Sequence, residues 1–431
     1  MNKTCFIVVG TLLMVLLMCC NNSGETGDKV IPPADTIKPA DTIKTTSIQP
    51  IQNINVYLEN SGSMDGYVKG NTGFEQSIYA YLTELQISKL IDTLNLNYVN
   101  SKVIPRGHDV ETFIHNIESV DFRKHGGDLG TSDIAVVLDT ILQRHDKEDI
   151  SIFISDCIVS PGKRYASSPQ SLNNYLIEQR TKIKQSFTQT LDKTNNDLTI
   201  VIYQMTSLFD GKYYNKFDSP QYYKGKRPFY IWLIGSTPHI KQLLNEVELE
   251  TLKKNGAELG NTYILTASSK KVDYGILLTP RLGRFDPDRT NPKTAIRNIR
   301  KENRGQQNGI FMFSVGANLD QLPLDKNYIL NADNYAVSNK DYALSVKKQK
   351  SGRFSHVLSL SSQIASRGNL TIALKNQFPQ WIEYKTDSVG NDLVKDEATE
   401  KTYGLKYLLE GVYDAFTARQ KNYAEFKITI N

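Results

Sequence analysis

The chain has 431 residues, of which 39% are hydrophobic and 10% aromatic, with 23 tyrosines and a formal net charge of +5. This length predicts two or three domains with real cores, and the ordinary apolar content excludes an intrinsically disordered chain. So weak a positive balance gives no reason to expect a nucleic-acid partner.

Lys3 precedes an apolar run from Phe6 to Met18, too short to span a bilayer and the right length for a signal-peptide core. Leu17-Met18-Cys19-Cys20 then resembles the bacterial lipobox. The resemblance implies lipidation at Cys20, with Cys19 as the second choice, and durable anchoring through several acyl chains. The expected location is the outer membrane, facing either the periplasm or the exterior. Cys5 and Cys19 would leave with the signal peptide (residues 1–20 as a segment, cleaved before Cys20) and Cys20 would carry lipid, so Cys157 would be the one free thiol and no intramolecular disulfide is expected. Residues 21–50 have no hydrophobic periodicity and repeat Pro-Ala-Asp-Thr-Ile-Lys at 33–38 and 39–44. They read as a tether, up to roughly 90 Å long if extended and about 30 Å as a coil.

The first folded domain is expected over 51–252. Ile54, Val56 and Leu58 predict a buried strand that breaks at Asn60-Ser61-Gly62-Ser63. Glu59, Ser61 and Ser63 then offer a carboxylate and two hydroxyls at alternate positions. Oxygen-only donors suit a hard cation such as Mg²⁺, although Ser and Gly also fill ordinary turns. A helix follows from Phe74, a strand over 96–104 and a short helix over 110–117. Residues 126–138 read GGDLGTSDIAVVL, a glycine-rich loop leading through a Thr-Ser-Asp cap into a helix. Ile150 to Ser155 is an apolar strand ending at Asp156, followed by a long helix over 171–191. Strands over 198–203 and 229–235 and a helix over 239–252 complete the domain. The alternation predicts an α/β fold with a doubly wound, mostly parallel sheet, whose turns after adjacent strands open on one edge.

The serine turn, the glycine-rich loop and the strand ending in Asp156, in this order, resemble the von Willebrand factor type A domain and its metal-ion-dependent adhesion site. The chain is thus identified as similar to a bacterial, Bacteroidetes-like lipoprotein carrying that domain. Glu59 stands where the family has Asp, Thr131-Ser132 where it has Gly-Thr, and Ser155-Asp156-Cys157 where it has Thr-Asp-Gly. The resemblance implies that Ser61 and Ser63 contact the ion through their hydroxyls, joined by Ser132 or Thr131. Glu59 and Asp156 would hold ordered waters and balance charge. Neutral protein ligands leave such an ion able to recruit a carboxylate from a partner. This is a binding device rather than an enzyme, since no general base or activated nucleophile accompanies the serines. The extra methylene of Glu59 leaves open a divergent site that holds no metal.

Residues 209–230 interleave Tyr213, Tyr214, Tyr222 and Tyr223 with lysines and should begin beside the site. They read either as a partner-binding loop, since tyrosine is large, rigid and amphipathic, or as a hairpin packing its own aromatics. From 255 to 431 several segments alternate apolar and polar residues, which predicts an antiparallel β-rich domain of sandwich type. Leu405, Leu408, Leu409, Val412 and Phe416 mark one amphipathic helix in it. The basic stretch 281–304 reads as a solvated loop and helix or as a contact for anionic envelope polymers. The functional expectation is an envelope lipoprotein binding a protein or glycan through the metal site. The alternative is a metal-free scaffold in a membrane-associated assembly.

Overall fold

β1 (Ile51–Glu59) is flanked by parallel partners on both sides in the computed structural model, β2 (Ile91–Val99) and the strand Ile150–Ser155. The structure describes residues 50–431 except 71, 118–121, 123–125, 128–132, 248–249, 254–255, 269–270, 392 and 394–398. The signal segment, Cys20 and the tether as far as residue 49 lie outside the described residues.

With β3 (Val103–Pro105), β4 (Ile150–Ser155), β5 (Leu198–Tyr214), β6 (Pro220–Gly235) and β7 (Glu258–Ala267), these strands form one seven-stranded sheet. Its order is β3-β2-β1-β4-β6-β5-β7. The sheet is mixed rather than mostly parallel. β3 runs antiparallel to β2, β6 antiparallel to β4 and β5, and β7 antiparallel to β5. The cause is local. β5 and β6 are joined by the short turn at 215–219, and a short turn can only return the chain antiparallel, whereas a parallel partner requires a long crossover. The tyrosine-rich stretch, read from sequence either as a loop or as a hairpin, is therefore the outer half of this hairpin.

Helices cover both faces. α1 (Gly73–Ile87), α2 (Val110–Ile117) and α5 (Thr237–Glu246) share a core with Ile54, Val56 and Leu58 of β1. On the opposite face, α3 (Ile134–Arg144) and α4 (Pro169–Lys193) pack with Phe153 and Trp232. β4 is buried along its whole length, as a strand covered on both faces requires. Ser168 caps α4 by accepting from Ser171 N–H at 3.1 Å, with Pro169 in the first turn.

The remaining chain supplies a five-stranded sheet (Tyr335–Val337, Gly368–Lys375, Asn422–Ile430, Ala295–Arg300, Arg284–Pro287) and a four-stranded one (Ala343–Lys348, His356–Ser362, Phe311–Ala317, Tyr274–Leu282). Phe313 and Leu360 from the second sheet share one core with Ile296, Ile372 and Phe426 from the first. Two elements expected in this half belong elsewhere. β7 is the edge strand of the first sheet. α6 (Leu405–Arg419) buries Leu405, Leu408, Leu409, Val412 and Phe416 in the core beneath α3 and α4. Arg180 fastens it, bonding Glu410 at 2.7 Å and Asp414 at 2.7 and 2.9 Å. Among the described residues no helix is long and apolar enough to cross a membrane.

Candidate metal site at the strand ends

The backbone of Asn60 still donates to Val99 O at 3.1 Å, so β1 stays tied to β2 one residue beyond Glu59. The chain then turns through the 3-10 helix Gly62–Gly66, closed by Met64 N–H to Ser61 O at 3.1 Å and pinned by the buried Met64 side chain. This tight turn brings the Ser61 and Ser63 hydroxyl oxygens to 3.0 Å.

β4 ends alongside. Ser155 donates its hydroxyl to Glu59 Oε2 and accepts from Cys157 N–H at 2.7 Å, with Cys157 in the left-handed region at φ +54°. Asp156 Oδ1 accepts from Ile158 N–H at 3.1 Å. Its Oδ2 is buried with no partner in hydrogen-bond geometry. Glu59 and Asp156 are each 1% exposed and Ser61 5%. Burial raises the Asp156 pKa above the usual carboxylate value, opposed by the Ile158 N–H, the nearby Ser63 hydroxyl and the charge of Arg227. Cys157 is fully buried and its thiol is pushed up by burial, so it is a packed residue and not a nucleophile. A cavity of about 20 Å³ lies among Glu59, Ser61, Ser63, Ser160 and Tyr214, room for one water or one ion.

The described start of the glycine-rich loop is held at the same edge by Asn60 and Asn100, neither of them among the site residues expected from the sequence. Asn100 Nδ2 donates to Asn60 Oδ1 at 2.9 Å and to Gly126 O at 3.1 Å, while Asn60 Nδ2 donates to Phe122 O at 3.1 Å. Both amides are buried. The available signal was their placement, since each directly follows one of two adjacent strand ends paired at Glu59 and Val99. Gly127 has φ +86° and a Cβ there would sit 1.9 Å from Asn100 Oδ1, so this position requires glycine. Thr131 and Ser132 lie outside the described residues. Asp133 caps α3, accepting from Ala135 N–H at 3.1 Å and Val136 N–H at 3.3 Å.

No protein family, curated protein or solved structure matches the chain.

The β5–β6 hairpin lies across the serine turn. A Cβ on Gly211 would meet Gly66 Cα at 2.5 Å, and one on Gly66 would enter the Phe209 ring at 2.3 Å, so the two backbones touch. At the tip, Ser160 donates its hydroxyl to Asp218. The four tyrosines do not form one surface, because successive strand residues point to opposite faces. Tyr213 is buried, with the Arg227 guanidinium 4.9 Å from its ring centre, which corrects its expected role as a contact residue. Tyr214 faces the small cavity, and Tyr223 packs on Phe209. Tyr222 is 62% exposed and donates its hydroxyl to Asp210. Arg227 is itself buried, and its Nη1 donates to Thr399 O at 2.9 Å and Lys401 O at 3.1 Å. A segment from the far end of the chain thus backs the hairpin beside the site.

Proposed function

We propose that the chain is an envelope-anchored lipoprotein whose von Willebrand A-like first half binds a divalent cation at the β1 and β4 ends and engages a protein or glycan partner there. The observation that carries this reading is the buried Asp156 carboxylate, whose Oδ2 has no donor in hydrogen-bond geometry, close to Ser63, whose hydroxyl lies 3.0 Å from that of Ser61. A buried carboxylate oxygen without a donor is costly, and a cation relieves that cost. Further support comes from β1, β2 and β4 running parallel, which brings their following turns to one edge. Ser61 and Ser63 would hold the ion through their hydroxyls, with Thr131 or Ser132 adding another, while Glu59 and Asp156 balance its charge. Once bound, Mg²⁺ or a similar ion supplies a positive centre that a partner carboxylate completes. In this reading the protein binds and catalyses nothing.

A binding ligand stabilises the folded state by about 2.7 kcal/mol at a hundredfold excess over Kd. The test is therefore a thermal melt in Mg²⁺ and in EDTA. The melting temperature rises with Mg²⁺, and Ser61→Ala together with Ser63→Ala abolishes the rise. Identical curves for the unmodified protein in both buffers overturn the reading.

The second reading is a metal-free scaffold of a membrane-associated assembly. The closed hairpin favours it, since Tyr214 and the Ser160–Asp218 contact stand over the cavity. Partner capture that survives both EDTA and the serine substitutions would decide for it.

A further inference from the structure

The sheet has a second unusual region, away from the serine turn. Strands covered by helices are normally apolar on both faces. β1 and β2 break this rule on the face opposite α1 and α2. The register pairs Asn53 with Thr93, Asn55 with Asn95 and Tyr57 with Asn97. Apart from the Tyr57 ring, which joins the core of that face, every one of these positions carries a polar side chain.

The amides form a connected ladder. Asn53 Nδ2 and Asn55 Nδ2 donate to the two oxygens of Asp149 at 2.8 and 3.0 Å. Asn95 Nδ2 donates to Asn55 Oδ1 at 2.9 Å, and Asn97 Nδ2 to Val56 O at 3.1 Å. These bonds fix the amides of Asn53, Asn55, Asn95 and Asn97 in place and leave Asn95 Oδ1 and Asn97 Oδ1 as acceptors with no donor among the described residues. The hydroxyl of Tyr57 has no hydrogen-bond partner among the described residues either. Asn97 is 9% exposed and Tyr57 4%, so neither is a solvated surface residue. All three line an open groove of about 460 Å³ whose rim carries His108 and Arg144, a volume typical of small-ligand sites.

We infer that this groove is a binding site for a neutral saccharide. A ligand uncharged overall fits best, because Arg144 and Asp149 bring one formal charge of each sign to the lining. It must also both donate and accept at closely spaced points, because carbonyl acceptors alternate with a phenol and a guanidinium. Adjacent sugar hydroxyls do both. The fixed amides lose no conformational entropy on binding, which favours affinity, and the unpaired Asn95 and Asn97 oxygens gain the donors they lack. The inference is independent of the cation site and of what that site recruits.

The test is a neutral glycan array, followed by calorimetric titration of the best oligosaccharide in EDTA. At least one neutral glycan binds saturably. Tyr57→Phe and Arg144→Ala each weaken it about five- to tenfold, a factor matching one hydrogen bond of about 1 kcal/mol. Asn95→Ala with Asn97→Ala abolishes it. Arg144 lies on an exposed helix end, so its variant tests the groove even if the double variant fails to fold. A blank array overturns the inference. So does affinity unchanged in both single variants, or tighter binding of adenosine or triglycine than of any sugar.

Discussion

Asn100 Nδ2 lies 2.9 Å from Asn60 Oδ1, joining the residues that immediately follow two adjacent parallel strands. The same Asn100 nitrogen also holds Gly126 O, so one side chain ties three chain segments at the site edge. Asn100→Ala removes both bonds and strands a buried amide oxygen. The expected cost is about 1–3 kcal/mol, read as a lower urea midpoint at unchanged slope. Full stability would show that the glycine-rich loop is held by something other than this amide.

Asp156 offers a test of opposite sign. Burial disfavours its charged carboxylate and raises its pKa, a cost that a bound cation would offset. Asp156→Asn should raise the melting temperature in EDTA and remove the increment gained from Mg²⁺. A variant that melts lower than the unmodified protein in EDTA would show that the charge is already well compensated.

His145 provides a pH signature. It is buried, bonds Ser151 Oγ at 3.0 Å through Nδ1, and burial lowers its pKa to about 4. The unfolded chain takes up this proton near pH 6.5, whereas the folded chain resists until about pH 4. Its contribution to stability is therefore lost as pH falls between those values, by about 3 kcal/mol in total. His145→Gln should flatten that part of the stability–pH curve relative to the unmodified protein, measured by urea unfolding at successive pH values.

Gly211 tests the seating of the hairpin. Added at this position, a methyl group meets Gly66 Cα at 2.5 Å, backbone against backbone, with no side chain able to yield. Gly211→Ala should cost about 1–3 kcal/mol and raise hydrogen exchange at residues 62–66. Unchanged exchange there would mean that the hairpin does not press on the turn.

Leu409 tests where α6 belongs. It is fully buried with residues of α3 and α4. Leu409→Ala should cost about 2–5 kcal/mol, and a fragment ending at residue 268 should lack cooperative unfolding by circular dichroism. A fragment that melts cooperatively would show that the first sheet is complete without α6.

Much of the first half was legible because its signals are local. Ile54, Val56 and Leu58 mark β1, and the all-apolar run before Asp156 marks β4. The serine turn also reads directly, since its hydroxyls lie within three residues of each other. Partnership across the chain was not legible. The periodicity of α6 shows an apolar face but not which core receives it. In the hairpin, paired tyrosines interspersed with lysines fit a strand and an exposed loop equally well. The Asn60–Asn100 tie was hidden for another reason: two amides 40 residues apart become neighbours only once β1 and β2 are in register.

The contribution of α6 also fixes an order in time. Residues 405–419 complete a helix layer whose strands begin at residue 51. A chain emerging from its N-terminus therefore exposes the apolar flank of that sheet until residue 419 has appeared. Burial of that flank must wait for a segment about 350 residues downstream of β1, so a holding chaperone suits such a sequence better than folding of the first sheet during synthesis.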